Sequence, residues 1–341
     1  MPFALLNVAG FRDGASEGRA LTSMKGDDGM AKGRSKAWRV IKWVAIIVLL
    51  AVAILVAMTV RAIGPGNFGR IVLGVGASYD ETPPILPALS DKAILIFSKT
   101  NGFRDDEQIV AANRAIAEIA KQRGWSSYTT ENAAIFNPAQ LKRFKAVVWS
   151  SVSGDVLTPT QRDAFRDWLE KGGGFVGLHG AGGDPQYAWR WYVDNLIGAQ
   201  FIGHIMGPQF QEATLNVEDR DHPATRELPK TWRRTDEWYS FDASPRAKGY
   251  RILVTIDEKS YSPLQKLTSF TKAKDIRMGA DHPMVWTHCV GDGRAFYSAL
   301  GHAASTYGEP LHRKMIGGAI AWAAGLEGSR CAGGEEVLPA R

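Results

Sequence analysis

Residues 172–183, Gly-Gly-Gly-Phe-Val-Gly-Leu-His-Gly-Ala-Gly-Gly, constrain the fold more than any other part of the chain. A short apolar run between glycines reads as a buried parallel strand, entered from a helix C-terminus and left through a tight turn. The turn residue is His179, just beyond the strand's carboxyl end, where open α/β sheets present ligand-contacting groups. An elbow of the G-x-nucleophile-x-G kind holds Ser or Cys at that position. With histidine there, the scaffold keeps the elbow and lacks the covalent nucleophile. The alternative is an imidazole hydrogen-bonded into a loop. The flanking glycines weigh against it, because they keep bulk away from the ring.

The segments around this elbow repeat a strand–helix alternation. Residues 93–97 and 145–149 read as strands, with a weaker strand near 126–130 falling between them in the chain. Apolar spacing predicts an amphipathic helix over 106–124, ending on glycine, and a second one opened by Thr158-Pro159. Such alternation is the signature of a mostly parallel sheet flanked by helices. From about residue 213 the texture changes to shorter alternating strands at 214–217, 250–256, 284–288 and 293–299, closed by a helix over 311–324. The reading is one α/β domain with strand-rich insertions, spanning residues 91–326. The remaining residues, 327–341, read as a flexible tail.

The chain has 341 residues, 45% hydrophobic and 22% charged, which is an ordinary globular balance. Its net charge of +6 is misleading, since Lys32, Arg34, Lys36, Arg39 and Lys42 gather in front of an uncharged apolar run, residues 43–60. That run spans roughly 27 Å, close to a bilayer's hydrocarbon thickness, and it exceeds a signal-peptide core. The expectation is an uncleaved, single-pass signal anchor in the cell inner membrane. Residues 1–42 would form a basic cytoplasmic segment, and the domain would face the periplasm or exterior. Met30 would make a natural start, with the polar first 29 residues an over-extension. No Lys/Arg stripe interleaved with aromatics occurs, so nucleic acid is not an expected partner. Residues 61–90 are Gly/Pro-rich and read as an extended linker that spaces the domain from the bilayer. Cys289 and Cys331 are the two cysteines, and spacing alone leaves their pairing open.

Candidate chemistry lies in several clusters besides His179. His204 follows a helix-like apolar stretch, 196–202, and His302 ends an alternating strand; glycine precedes both. Asp236 and Glu237 stand beside Trp238 and Tyr239. Burial there would raise a carboxyl pKa and suit acid–base work, whereas a surface loop would leave it ordinary. His222 and His282 each precede proline and read as turn caps. Eleven tryptophans are many for this length. Trp189, Trp191, Trp238 and Tyr239 offer flat faces of the kind that suit a pyranose, while Trp149, Trp168 and Trp322 read as core.

In order, KAILIFSKTNGFR, GGGFVGLHGA, GAQFIGH, DHPAT, LP..W...DEWYSF, HPMVW, G.GRAFYSALGH and AIAWAAG resemble the ThuA-like (trehalose utilisation) family across about residues 92–325. The resemblance implies a class I glutamine amidotransferase-like, flavodoxin-like fold and a carbohydrate-linked role, on trehalose-type disaccharides or their keto forms. One position departs: relatives often read Gly-Phe-Arg-His in the first loop, where this chain has Asp105 after Arg104.

Together these readings give an enzyme that hydrolyses, eliminates or isomerises a glycoside or keto-sugar. His179, Asp236 and Glu237 are its catalytic candidates. Arg104, Trp189, His204, Tyr239 and His302 are its substrate-binding candidates. Three imidazoles, His179, His204 and His302, with a carboxylate nearby also fit a divalent metal such as zinc. The alternative is a non-catalytic sugar-binding or envelope-scaffold module, whose histidines need not meet. A cysteine-dependent amidotransferase is excluded by the missing elbow cysteine.

Overall fold

The computed structural model describes residues 28–265 and 274–337. The expectations placed on residues 1–27 and 338–341 lie outside it. The chain divides into two units, one ending at Ala62 and one beginning at Ile63. The described residues of the first belong to one helix, Asp28–Ile63, longer than the apolar run alone predicted. Its portion Lys36–Ile63 is long and apolar enough to cross a membrane, and none of its apolar window is buried against other residues of the chain.

The second unit is built on a nine-stranded sheet. Its first strands are β1 (Ala93–Phe97), β2 (Ser126–Thr130), β3 (Ala146–Ser150) and β4 (Gly174–Leu178). A small antiparallel pair, β5 (Phe201–His204) and β8 (Tyr239–Phe241), stands apart from the sheet. The antiparallel part comprises β6 (Phe210–Val217), β7 (Thr231–Glu237), β9 (Arg251–Ile256), β12 (Pro283–Val290) and β13 (Gly293–Ser298). Two short ribbons complete the strands, β10 (Leu264–Gln265) with β11 (Lys274–Asp275) and β14 (Arg330–Ala332) with β15 (Glu335–Val337). The sheet runs β2-β1-β3-β4-β13-β12-β9-β6-β7. Contacts from β2 to β13 are parallel and the rest antiparallel. The parallel half therefore has the order of doubly wound flavodoxin-like sheets.

Both faces of that half are covered, and β4 shows how. Phe175 points to one face, where it meets Phe165 of the Pro159–Glu170 helix and Trp149 of β3. Gly174 points to the other, where the final helix, Pro310–Ala323, presses so close that a Cβ would sit 2.2 Å from the Ala323 carbonyl. Only glycine fits there, and this accounts for part of the glycine run. The Asp106–Gln122 helix buries Ile109, Ala112, Ile116 and Ile119 and packs beside the final helix. Asp105 caps it by accepting the Gln108 N–H.

Three expectations are corrected. The stretch 196–202 is a wide helical turn, Tyr192–Ile197, followed by β5, because Gly198 adopts a left-handed backbone that ends the turn. Residues 61–90 are not a free spacer. After helical turns at Pro65–Asn67 and Phe68–Val72, the segment is hydrogen-bonded onto the loops at the sheet's carboxyl edge. Asp80 pairs with Lys99 at 2.7 Å and accepts the Ala133 N–H at 2.9 Å, and Gln140 donates to the Pro84 carbonyl. The tail is not flexible up to residue 337. Gly333 and Gly334, both at positive φ, turn β14 into β15, and Cys331 is disulfide-bonded to Cys289 with Cα atoms 5.6 Å apart.

Candidate functional site

His179 leaves β4 at the carboxyl edge with φ of +45°, one of two non-glycine residues in the left-handed region among the described residues. A side-chain residue pays about 1–2 kcal/mol for that backbone, so packing must hold it. Tyr297 does so by donating its hydroxyl to the His179 carbonyl at 2.9 Å. The following glycines serve close packing more than clearance of the ring: a Cβ on Gly182 would lie 2.6 Å from Tyr297, and one on Gly180 3.3 Å from Ser151.

His302 follows β13, the neighbour of β4, and so emerges at the same edge. Glu237 ends β7, five strands from β4 in the sheet. In a flat sheet that would separate them by about 24 Å, yet Glu237 Oε2 lies 3.3 Å from His179 Nε2. The antiparallel half curls back over the carboxyl edge and delivers the carboxylate there. His204 arrives through β5, paired with Tyr239 of β8, and its Nδ1 is 3.0 Å from Glu237 Oε1.

The centre of the site is a triangle. His302 Nδ1 is 2.9 Å from His179 Nε2 and 3.0 Å from Glu237 Oε2. His179 Nδ1 lies 2.9 Å from the Ala299 carbonyl, which only accepts. In the neutral ring the proton therefore sits on Nδ1, and Nε2 turns a lone pair inward. Two acceptors thus face each other with one N–H, from His302, to share. Donors bound to zinc at about 2.0–2.1 Å and tetrahedral angles stand roughly 3.4 Å apart, close to the edges of this triangle. The donor set His179, Glu237 and His302 fits a small divalent cation. His204 stands outside that set.

Electrostatics follow from burial and charge. Burial pushes the Glu237 carboxyl up, but the imidazoles packed against it, His179 and His302 first, outweigh burial. They hold it well below the usual carboxylate range. The rise expected of a desolvated carboxyl is thus opposed at Glu237 by the imidazoles around it. Burial also opposes charge on His302, yet Glu237, Asp105 and Asp236 raise its pKa. For His204 burial wins over the attraction of Glu237, and its pKa falls. The two rings differ because Glu237, Asp105 and Asp236 all favour charge on His302, whereas on His204 the carboxylate that favours it is Glu237.

The remaining candidates divide. Tyr239 is buried with its ring 4.2 Å from that of His179 and forms a wall of the cluster. Asp236 is fully buried and faces away from the triangle. It accepts the backbone N–H groups of Gly301 at 2.8 Å and His302 at 3.1 Å and pairs with buried Arg234 at 2.9 Å. Its expected acid–base role gives way to a structural one, since neighbours on a strand face opposite ways. Arg104 has its guanidinium taken by Asp106, Glu131 and Thr100, so it is not free to bind substrate. Trp189 stacks on Trp191 and Tyr192 beneath Arg162, away from the cluster, and Trp238 is buried with its indole N–H on the Gln211 carbonyl. Trp238 therefore offers no sugar platform, and Trp189 is half-buried.

Sequence reasoning missed two neighbours. Gln209 donates to Glu237 Oε1 at 2.5 Å. Phe210, paired with Glu237 across β6 and β7, keeps 42% of its surface exposed with its ring 5.4 Å from that of His302. Only the start of an alternating strand hinted at either. His222 is a buried turn residue as expected, its Nδ1 accepting the Ala224 N–H, whereas buried His282 directly precedes β12 and its ring joins Glu258 to the Tyr239 carbonyl instead of capping a turn.

No curated protein matches the chain. Among solved structures it is similar to a ThuA-like protein from Bacteroides uniformis, 24% identical with a TM-score of 0.56, covering 71% of this chain and 95% of that one. It is also similar to a ThuA-like protein from Parabacteroides merdae, 17% identical with a TM-score of 0.52, covering 69% and 90%. At these identities the likeness speaks to the fold. The family model described as ThuA, trehalose utilisation, matches residues 93–323, a stretch that contains the strand-end histidines and Glu237, and the chain belongs to that family.

Proposed function

We propose that this protein is a carbohydrate-directed enzyme whose His179, Glu237 and His302 hold a divalent metal such as zinc. It hydrolyses, eliminates or isomerises a glycoside or keto-sugar. The observation that carries the reading is the convergence of three ligand atoms, from His179, Glu237 and His302, all within 4.8 Å of one another. A bound divalent ion would supply Lewis acidity toward a carbonyl or hydroxyl oxygen. His204, whose side chain at 25% exposed is the most open of the cluster, is placed to take or return a proton at the substrate. Phe210 offers the exposed aromatic face at the mouth. The family's trehalose association motivates disaccharides and their keto derivatives as substrates.

The apolar helix acts as a single-pass anchor with the domain on the periplasmic or outer side. Two observations support this: a 28-residue apolar helix left unburied by the chain, and a disulfide, which persists in oxidising compartments. A non-catalytic sugar-binding module would not need its histidines to meet, and their meeting weighs against it.

The test uses the full chain purified in detergent. After chelation and reconstitution with zinc, metal analysis should find about one ion per chain. His179→Ala and His302→Ala should abolish both binding and turnover on a panel of disaccharides and keto-disaccharides. A wild type that retains no metal sinks the metal assignment. Unchanged turnover in both variants sinks the catalytic one.

A further inference from the structure

His302 presents its two ring nitrogens to different partners. Nδ1 faces the triangle, and Nε2 faces Asp105 Oδ2 at 3.7 Å. Asp105 belongs to the loop after β1, and its other oxygen accepts the Gln108 N–H at 3.0 Å. The residue before it is clamped. Arg104 donates its backbone N–H to Asn67 Oδ1 at 2.8 Å, and its carbonyl accepts from Asn67 Nδ2 at 2.8 Å. This two-point contact repeats the exchange of a hydrogen-bonded strand pair. Asn67 is buried at 8% exposure, and Arg70 braces it by donating to its Oδ1 at 2.8 Å and to the Gly102 carbonyl at 2.9 Å.

We propose that Asp105 is the outer carboxylate that orients His302 for metal binding, and that Asn67, in the segment following the apolar helix, sets where Asp105 stands. The inference rests on the metal reading above. An imidazole that binds a metal through one nitrogen donates its other N–H to a carboxylate or carbonyl, which fixes the ring and raises its basicity. His179 already has such a partner in the Ala299 carbonyl, and Asp105 is the matching partner for His302. At 3.7 Å the pair attracts by charge and is not yet hydrogen-bonded. A cation on Nδ1 makes the Nε2–H more acidic and draws the carboxylate in. The backbone of His302 is held separately by Asp236, so Asp105 governs ring orientation and not loop position. Residues 64–70 are then a working part of the site, and none of them belongs to the domain's hydrophobic core.

Asp105→Asn isolates the charge, because asparagine caps a helix as well as aspartate does. In the full chain in detergent, zinc affinity would be read by competition with a chromophoric chelator, and geometry by the visible absorption of the cobalt(II) form. Asp105→Asn should bind zinc about 10- to 100-fold more weakly and shift the cobalt bands, with thermal unfolding of the metal-free protein unchanged. Asn67→Ala should move both readouts in the same direction. Asn67→Asp, which keeps the acceptor and loses the donor, serves if the alanine variant does not fold. Wild-type affinity and spectrum in Asp105→Asn overturn the outer-carboxylate role while leaving the zinc site standing. Wild-type behaviour in the Asn67 variants overturns the clamp. Absence of zinc binding in the wild type removes the metal reading and this inference together.

Discussion

Replacing Asp236 by asparagine should destabilise the protein by about 3–5 kcal/mol, and the structure says where that figure originates. The Asp236 carboxylate is fully buried and accepts three backbone N–H groups, from Gly301, His302 and Glu237. It is also the near counter-charge of Arg234, whose side chain is 2% exposed. The guanidinium lies 2.9 Å from Asp236 without a well-aligned N–H···O bond. Charge and the Trp232 ring 4.7 Å away therefore hold it. Asparagine removes one acceptor from the N–H groups and leaves Arg234 with Glu309 at 3.6 Å as its nearest carboxylate. Removing one partner of a buried pair strands the other, which is the costly case. Arg234→Met should cost less, because Asp236 retains its three N–H donors. The double variant should be more stable than the sum of the singles by about 1–3 kcal/mol. Urea unfolding of the full chain in detergent, followed by tryptophan fluorescence, measures all three. An Asp236→Asn variant within 1 kcal/mol of wild type, or strict additivity, would refute the reasoning. Loss of turnover at intact stability would return Asp236 to acid–base chemistry.

Opening the Cys289–Cys331 bridge, which closes a separation of 42 residues, should cost up to about 4 kcal/mol by the loop-entropy argument; equal denaturation midpoints with and without reductant would count against it. Burial depresses the His222 imidazole to about 3. Its contribution is therefore intact above pH ~6.5 and falls by about 1.4 kcal/mol per pH unit as the pH drops toward 3. His222→Asn should flatten that part of the stability–pH curve. Phe210→Ala should raise KM for a sugar substrate about tenfold with kcat little changed, whereas Trp189→Ala should lower stability and leave KM alone; the reverse pattern restores Trp189 as the platform. The full chain should stay with the membrane pellet in alkaline carbonate, and a reporter fused after Ala324 should be active outside the cytoplasm; release into the supernatant removes the anchor.

The elbow was legible because a buried parallel strand between glycines has few other readings, and His179 and His302 stood out as strand-end histidines. β7 was not read as a strand. Its inward positions are Trp232, Arg234 and Asp236, and two buried charges that neutralise each other look like a solvent face in a sequence. The same blindness affected Glu237, since its carboxyl is set by imidazoles that only the folded sheet brings near. Aromatic composition also could not tell where Trp189 stacks, half-buried against Trp191 and Tyr192. The short ribbon in the tail was not legible because glycine marks tight turns and loose ends alike, and here Gly333 and Gly334 form a two-residue turn.

The curl that carries Glu237 from the outermost strand back to His179 also determines when the site can exist. β1 to β4 can assemble from neighbouring stretches of chain, but the triangle needs β13 in place beside β4 and β7 added at the far edge of the sheet. Contacts of such long sequence range close late and slowly. A chain stalled with only its parallel half formed would display His179 without partners and bind nothing tightly. The cluster is therefore a certificate of completed folding. A cation bound there, as proposed above, would select finished molecules and, by binding them alone, shift the population toward them.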